Sequence, residues 1–241
     1  MLFKTKGIVL RNINYGETSI IVKIYTEIFG LKSYIVKGVK ARKAKFKINL
    51  FQPLTLLDLI VYNKTKSHIQ NIKEARIDYT NKSINTDINK TSVLLFISEI
   101  LNKSIREEEK NEHLFNFIFN SVKLLDDTND NVSHFHLVFM MQLTKYLGFF
   151  PQNNFSEKNK YFNLREGIFT ENEIIAANSI SPANSEHFSK LINTSFDDLK
   201  TLKFEKSKKK KLLENMIRFY ELHLESFKNI KSVGVLEAVF E

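Results

Sequence analysis

At Asp78 the spacing of apolar residues changes from every second position to every third or fourth, which divides the chain into two kinds of structure. Before that point, short apolar stretches rich in β-branched residues alternate with turn residues. The first covers residues 3–13 and is followed by Asn14-Tyr-Gly-Glu-Thr18, where Gly16 is free to take a positive φ. The second, 19–26, places Ile20, Val22 and Ile24 on one face, with Lys23 and Tyr25 on the other. A turn at Glu27-Ile-Phe-Gly30 joins it to a third strand, 31–37, as an antiparallel hairpin. A fourth strand is expected over 51–62, with Pro53 near its start where a missing N–H is tolerated. Asn63-Lys-Thr-Lys66 turns the chain into a fifth, 67–77. Five strands with a longer insertion after the third suit a small Greek-key barrel of the OB type, which binds oligonucleotides across one open face.

Beyond Asp78 the pattern is helical. Thr91 or Ser92 is expected to cap a helix that carries Val93, Leu94, Ile97 and Leu101 on one face. Glu107-Glu-Glu109 reads as a solvated break. Leu114, Phe117, Ile118, Val122 and Leu125 form the next stripe, ended by Asp126-Asp-Thr-Asn-Asp-Asn131. A third helix, 132–147, is apolar on nearly all sides and should lie at the centre of a second core, stopped by Gly148. After a polar loop, Tyr161-Phe-Asn-Leu and Gly167-Ile-Phe169 suit a small hairpin, and the capping-box spacing of Thr170 and Glu173 predicts a short helix through Ala177. Further helices are expected over 184–192, 195–202 and 207–229. The fold class is therefore α+β: an N-terminal five-stranded OB-fold β-barrel over 1–80, followed by an α-helical C-terminal domain over 81–241. A small cysteine-free insert is expected at about 151–178.

Charge separates the two parts again. Residues 1–80 hold 15 Lys+Arg against 5 Asp+Glu, whereas 81–241 hold 21 against 22, so the net +9 belongs to the first third. Residues 28–57 contain no acid at all. Within them Lys37, Lys40, Arg42, Lys43, Lys45 and Lys47 crowd into eleven positions. Residues 38–47 show no apolar period and should stand in water on a rim of the sheet, where a polyanion would dock. Arg11 is a further candidate for that contact. A solvated loop serving only solubility is the competing reading. Tyr15, Tyr25, Tyr34 and Phe46 lie in or beside this region, so base stacking and ordinary sheet packing are both open to them. A second run, Lys206-Ser-Lys-Lys-Lys-Lys211, opens the last long helix, where cations oppose the macrodipole. That conflict suggests an anion partner, which makes Lys208, Lys209, Lys210 and Lys211 a secondary candidate for binding a polyanion such as DNA, with simple solvation as the competing reading.

Several chemistries are absent. Without cysteine there is no disulfide, thiol catalysis or thiolate metal site, a composition that fits a reducing cytosol. Seven scattered glycines build neither a phosphate loop nor a dinucleotide fingerprint. His134 and His136, two positions apart on a helix, point roughly 200° apart and cannot share one ion. One is expected on the surface and one in the core. No catalytic motif is found, and no cofactor or metal is expected. With no apolar run near the roughly 18 residues of a membrane span, and no basic amphipathic helix, the protein should be soluble and cytoplasmic, with no membrane partner.

In order along the chain, Lys6-Gly-Ile-Val-Leu-Arg11, Tyr15-Gly-Glu17, Val22-Lys-Ile-Tyr-Thr26, Gly30-Leu-Lys-Ser33, Val36-Lys-Gly-Val-Lys-Ala-Arg42 and Phe51-Gln-Pro-Leu54 resemble the bacterial RecO family of recombination mediators. Leu147-Gly-Phe-Phe-Pro151, Tyr161-Phe162 with Gly167, Tyr220-Glu-Leu-His-Leu224 and Lys231-Ser-Val-Gly-Val-Leu236 extend the resemblance over nearly the whole chain. It implies an N-terminal OB-fold, a helical C-terminal domain, and binding of single- and double-stranded DNA. It also implies annealing of complementary strands, and recombinase loading with a RecR-like partner and the tail of the single-stranded-DNA-binding protein. Members of that family often carry a four-cysteine zinc site in the region that here, over 155–177, has no cysteine. The expected function is a non-enzymatic DNA-binding mediator in recombinational repair. An RNA-binding OB-fold protein and a protein–protein adaptor are the alternatives.

Overall fold

The computed structural model describes residues 1–41, 44–65, 67–106 and 108–240. They form two compact units, Met1–Asp127 and Thr128–Glu241. In the first, β1 (Leu2–Tyr15), β2 (Ser19–Thr26), β3 (Gly30–Val36), β4 (Leu56–Tyr62) and β5 (Ile69–Ile77) close a barrel in the order β1-β2-β3-β5-β4. All pairings are antiparallel except β3 with β5. This is the expected OB-type barrel. The long β1 serves two partners: residues 2–8 pair with β4 and residues 7–15 with β2. Gly7 lies where the two ladders overlap, and a Cβ there would meet side-chain atoms of Leu59 and Ile24 at 2.6 and 2.7 Å. Ile20, Val22 and Ile24 point into the barrel with Val9, Tyr34, Val36, Leu57, Leu59 and Val61, as the alternation in β2 predicts.

α1 (Ile88–Ser104) and α2 (Glu112–Asp127) cover the outer side of β1 and β2. Ser98 Oγ donates to the Leu10 carbonyl at 3.0 Å, the Tyr25 ring lies 6.2 Å from that of Phe115, and the Lys6 ammonium stands 5.0 Å over Phe119. Asp126, in the last turn of α2, is buried. Its carboxylate accepts the N–H groups of Lys82, Ser83 and Ile84 at 2.7–2.9 Å and the Tyr79 hydroxyl at 2.9 Å. Burial opposes its charge, but these donors outweigh burial and hold the pKa down at about 2. The segment leaving the barrel is thereby clamped to the helices.

Three expectations fail in this unit. Residues 38–47 do bury side chains: Val39 and Phe46 belong to the barrel core, with the Phe46 ring edge-on to Phe51 at 6.2 Å. Isolated apolar residues suffice to plug a barrel end, so no period betrays them. The fourth strand begins at Leu56 rather than at 51, because Ile48–Phe51 forms a 3-10 turn and Leu54 takes a φ of 57°. α1 starts at Ile88, capped by Asp87, whose side chain accepts the N–H groups of Asn89 and Lys90. Thr91 and Ser92, the expected caps, donate to the carbonyls of Ile84 and Asn89 instead.

The second unit is built on α3 (Val132–Leu147), which is buried along most of its length and ends at Gly148 with φ 84°. β6 (Tyr161–Asn163) and β7 (Ile168–Thr170) form the expected hairpin, and β8 (Ser179–Ile180) joins the other edge of β6. α4 (Pro182–Ile192), α5 (Lys206–His223) and α6 (Val233–Phe240) complete it. The Thr170 hydroxyl donates to the Asn172 carbonyl rather than capping a helix, and only a 3-10 turn, Ala176–Asn178, follows. Residues 195–202 make turns, tied where the Asp198 carboxylate accepts the N–H and hydroxyl of Ser195. α5 stops at His223, six residues before the expected end, and α6 was not foreseen. Both His134 and His136 are buried, not one of them. Burial, with the neighbouring Lys209 charge, pushes their pKa values down to about 4 and about 3, so both rings are neutral. Among the described residues no helix is long and apolar enough to cross a membrane.

Candidate nucleic-acid interface

The exposed cations of the acid-free segment surround the plugged end of the barrel. Lys37, Lys40, Lys45 and Lys47 are all exposed around buried Val39 and Phe46. The Lys40 N–H donates to the Thr18 carbonyl, which pins the segment beside the β1–β2 turn. Lys45 reaches back: its ammonium donates to the Lys73 carbonyl at 2.6 Å and lies 5.1 Å from the centre of the Phe46 ring. Arg42 and Lys43 lie outside the described residues.

The aromatic candidates separate cleanly by burial. Tyr25 and Tyr34 are each only 1% exposed and Phe46 8%, so none of them offers a face to a base. Tyr15 is 54% exposed. Of these four rings only Tyr15 is open to solvent.

Arg11 does not stand on the same rim. A bulge between Val9 and Arg11 leaves Leu10 out of the β2 ladder. Strict alternation from inward-facing Val9 would turn Arg11 into the barrel. The extra residue instead sets Arg11 opposite Lys23, Ile13 opposite Ile21 and Tyr15 opposite Ser19 on the outer wall. The segment between α1 and α2 packs against the start of β3. Glu108 accepts from the Lys32 ammonium at 2.9 Å, and the backbone of Glu109 sits so close to Gly30 that a Cβ there would collide with it. Arg106, in the same segment, acts with Arg11 on Lys23: burial first, then these two positive charges, lower the Lys23 pKa. Lys23 was legible only as an outward strand residue. Arg106 sits beside the expected solvated break, and nothing local in the sequence marks it. Glu107 lies outside the described residues.

The second cationic run is not gathered on one plane. Lys209 donates to Ser133 Oγ at 3.2 Å, Lys210 pairs with Glu237 at 3.1 Å and Lys211 with Glu214 at 2.8 Å. Lys208 is half-buried. Lys206, Lys209 and Lys210 instead border an apolar cavity of about 530 Å³ whose walls include Leu213, Leu236 and Phe240.

The insert offers nothing to a tetrathiolate zinc site, since it holds no cysteine. Among the described residues no three His, Asp or Glu side chains come together as metal ligands. Rings take that place. Phe162 packs against Phe169, Phe188 and Phe219 at 4.8, 4.6 and 5.9 Å between centroids, and Phe155 against Phe169 at 5.3 Å. The Asn154 side chain closes the hairpin by exchanging hydrogen bonds with both backbone groups of Phe169.

Comparison with known proteins agrees with this architecture. Residues 1–80 match the family model described as "Recombination protein O N terminal", and residues 85–232 match "Recombination protein O C terminal". A protein of Flavobacterium psychrophilum named "DNA repair protein RecO" is 39% identical over the full length of both chains. Proteins of the same name from Christiangramia forsetii and Phocaeicola vulgatus are 37% and 31% identical, again over the whole of each chain. With an OB-fold barrel, a helical C-terminal part and full-length relatives 31–39% identical, the chain belongs to the RecO family of DNA repair proteins.

Proposed function

We propose that this protein is a non-enzymatic, cytoplasmic DNA-binding mediator. It anneals complementary single strands and helps to load the recombinase onto protein-coated single-stranded DNA. The observation that carries the reading is a closed OB-type barrel whose acid-free segment sets exposed lysines around one end. Lys37, Lys40, Arg42, Lys43, Lys45 and Lys47 would hold phosphates as point charges, without reading sequence. The members of the family named above are DNA repair proteins, which supports DNA over RNA as the polyanion. A RecR-like protein and the acidic tail of the single-stranded-DNA-binding protein are its partners in this reading. The apolar cavity bordered by Lys206, Lys209 and Lys210 has the chemistry for an acidic-hydrophobic tail. Lys209 and Lys210 then serve that tail, and Lys208 and Lys211, which do not line the cavity, are left as the secondary DNA contact.

The test changes Lys40, Arg42, Lys43 and Lys45 to Ala together. Each lost phosphate contact should flatten the slope of log K against log salt by about 0.7 on single strands, and annealing should slow in parallel. Equal loss on every sequence is expected. A folded variant with the parent slope would show that this charge serves only solvation, and a parent that prefers RNA would favour the RNA-binding alternative.

A further inference from the structure

Three cations meet on the outer wall of the barrel without serving the fold. Arg11 and Lys23 are directly opposite residues on antiparallel strands. Like charges so placed are destabilising. The α1–α2 segment is fixed by the Glu108–Lys32 ion pair beside Ser33, the β3 residue opposite Lys23, and by the Glu109 backbone against Gly30. It carries Arg106, whose positive charge acts on Lys23 together with that of Arg11. None of the three has an ion-pair partner among the described residues. The acid that acts on Lys23, Glu108, is itself held by Lys32 at 2.9 Å. Lys23 is half-buried beside them, so water screens the repulsion less well than at an open surface. An anion between the three side chains would reverse the balance.

The surface around this spot suits a strand rather than an isolated ion. Arg11, Ile13 and Tyr15 follow one another along the outward face of β1, and Ile13 and Tyr15 are 48% and 54% exposed. Arg11 and Tyr15 are four residues apart, about 13 Å along the strand. Cations followed by an open ring on one face of an OB barrel are the elements of a single-strand track: charge for the backbone, a ring for a base.

We propose that single-stranded DNA runs along the outer β1–β2 wall, with a backbone phosphate held by Arg11, Lys23 and Arg106 and a base stacked on Tyr15. This rests on the DNA-binding reading above and adds to it. The wall is a second contact surface besides the lysines at the barrel end, and part of it is contributed by the segment between α1 and α2. The β1 bulge is what turns Arg11 outward to serve it, and Gly30 is what lets that segment approach.

The full-length protein with Arg106→Ala should bind a mixed-sequence single-stranded oligonucleotide with a salt slope flatter by about 0.7, whereas Arg106→Lys should keep the parent slope. Tyr15→Ala should weaken binding about 5- to 150-fold at every salt concentration with the slope unchanged, and Tyr15→Phe should bind as the parent does. An oligonucleotide carrying 5-iododeoxyuridine should cross-link to Tyr15. Parent slope and affinity in both Arg106→Ala and Tyr15→Ala, with melting temperatures unchanged, would overturn the wall site. If the quadruple variant at the barrel end still loses binding in that case, DNA binding itself stands. If the parent binds no DNA at low salt, both readings fall. Arg106→Ala is read beside Arg106→Lys, so a loss common to both is a folding defect, and Tyr15 cross-linking in the parent then decides.

Discussion

Replacing Asp126 by Asn tests how the barrel is joined to its helices. The carboxylate is buried, with one oxygen taking the Lys82 N–H and the Tyr79 hydroxyl, and the other the N–H groups of Ser83 and Ile84. An amide of the same shape satisfies one of these pairs through its oxygen. It turns an N–H₂ group toward the other, leaving at least one backbone N–H facing a donor. Hydrogen bonds to a charged acceptor contribute about 1.5–3 kcal/mol each, so the substitution should cost about 3 kcal/mol at neutral pH. The pH dependence gives an independent handle. With a folded pKa of about 2 against an ordinary 3.8, the carboxylate contributes about 2 kcal/mol that is fully present above pH 4 and is lost as pH falls toward 2. Urea unfolding followed by circular dichroism, for both proteins at pH 7 and across pH 5 to 2, measures both effects. A loss below about 0.5 kcal/mol at pH 7, or an Asn variant with the parent's acid sensitivity, would refute the clamp.

Two further outcomes are expected. Gly30→Ala, at φ 62° and against the Glu109 backbone, should destabilise the first unit by more than 1 kcal/mol, read as a lower urea midpoint. It should also weaken single-strand binding, because it displaces the segment that carries Arg106. Phe162→Ala should lower stability by about 3–5 kcal/mol, while a chelator should leave the parent's melting temperature unchanged, since rings rather than thiolates hold the insert.

The five strands were legible because alternation in β2 and the turn residues around it state a local preference that the barrel keeps. The helical half was legible where a stripe was long, as in α3. What escaped is what depends on distant partners. Val39 and Phe46 look like strays in a charged loop until the open barrel end is there to receive them. Asp126 looks like a helix stop until Lys82, Ser83 and Ile84 present their N–H groups. The candidate site divides in the same way. The lysines at the barrel end can be read from composition, whereas the charge of Arg106 acts on Lys23 only through a fold that brings together segments 83 positions apart in the chain.

The seating of α1 and α2 on the barrel bears on where the chain can be cut. The two family models divide between residues 80 and 85, yet Ile8, Leu10 and Tyr25 are shielded on the outer wall where those helices pack. A fragment ending at 80 would therefore present a wet apolar wall with no Asp126 to gather the Lys82–Ile84 turn. A fragment ending at 127 would keep both. Recombining such proteins between species, or grafting this barrel onto another carrier, should succeed at the second boundary and give sticky, half-folded material at the first.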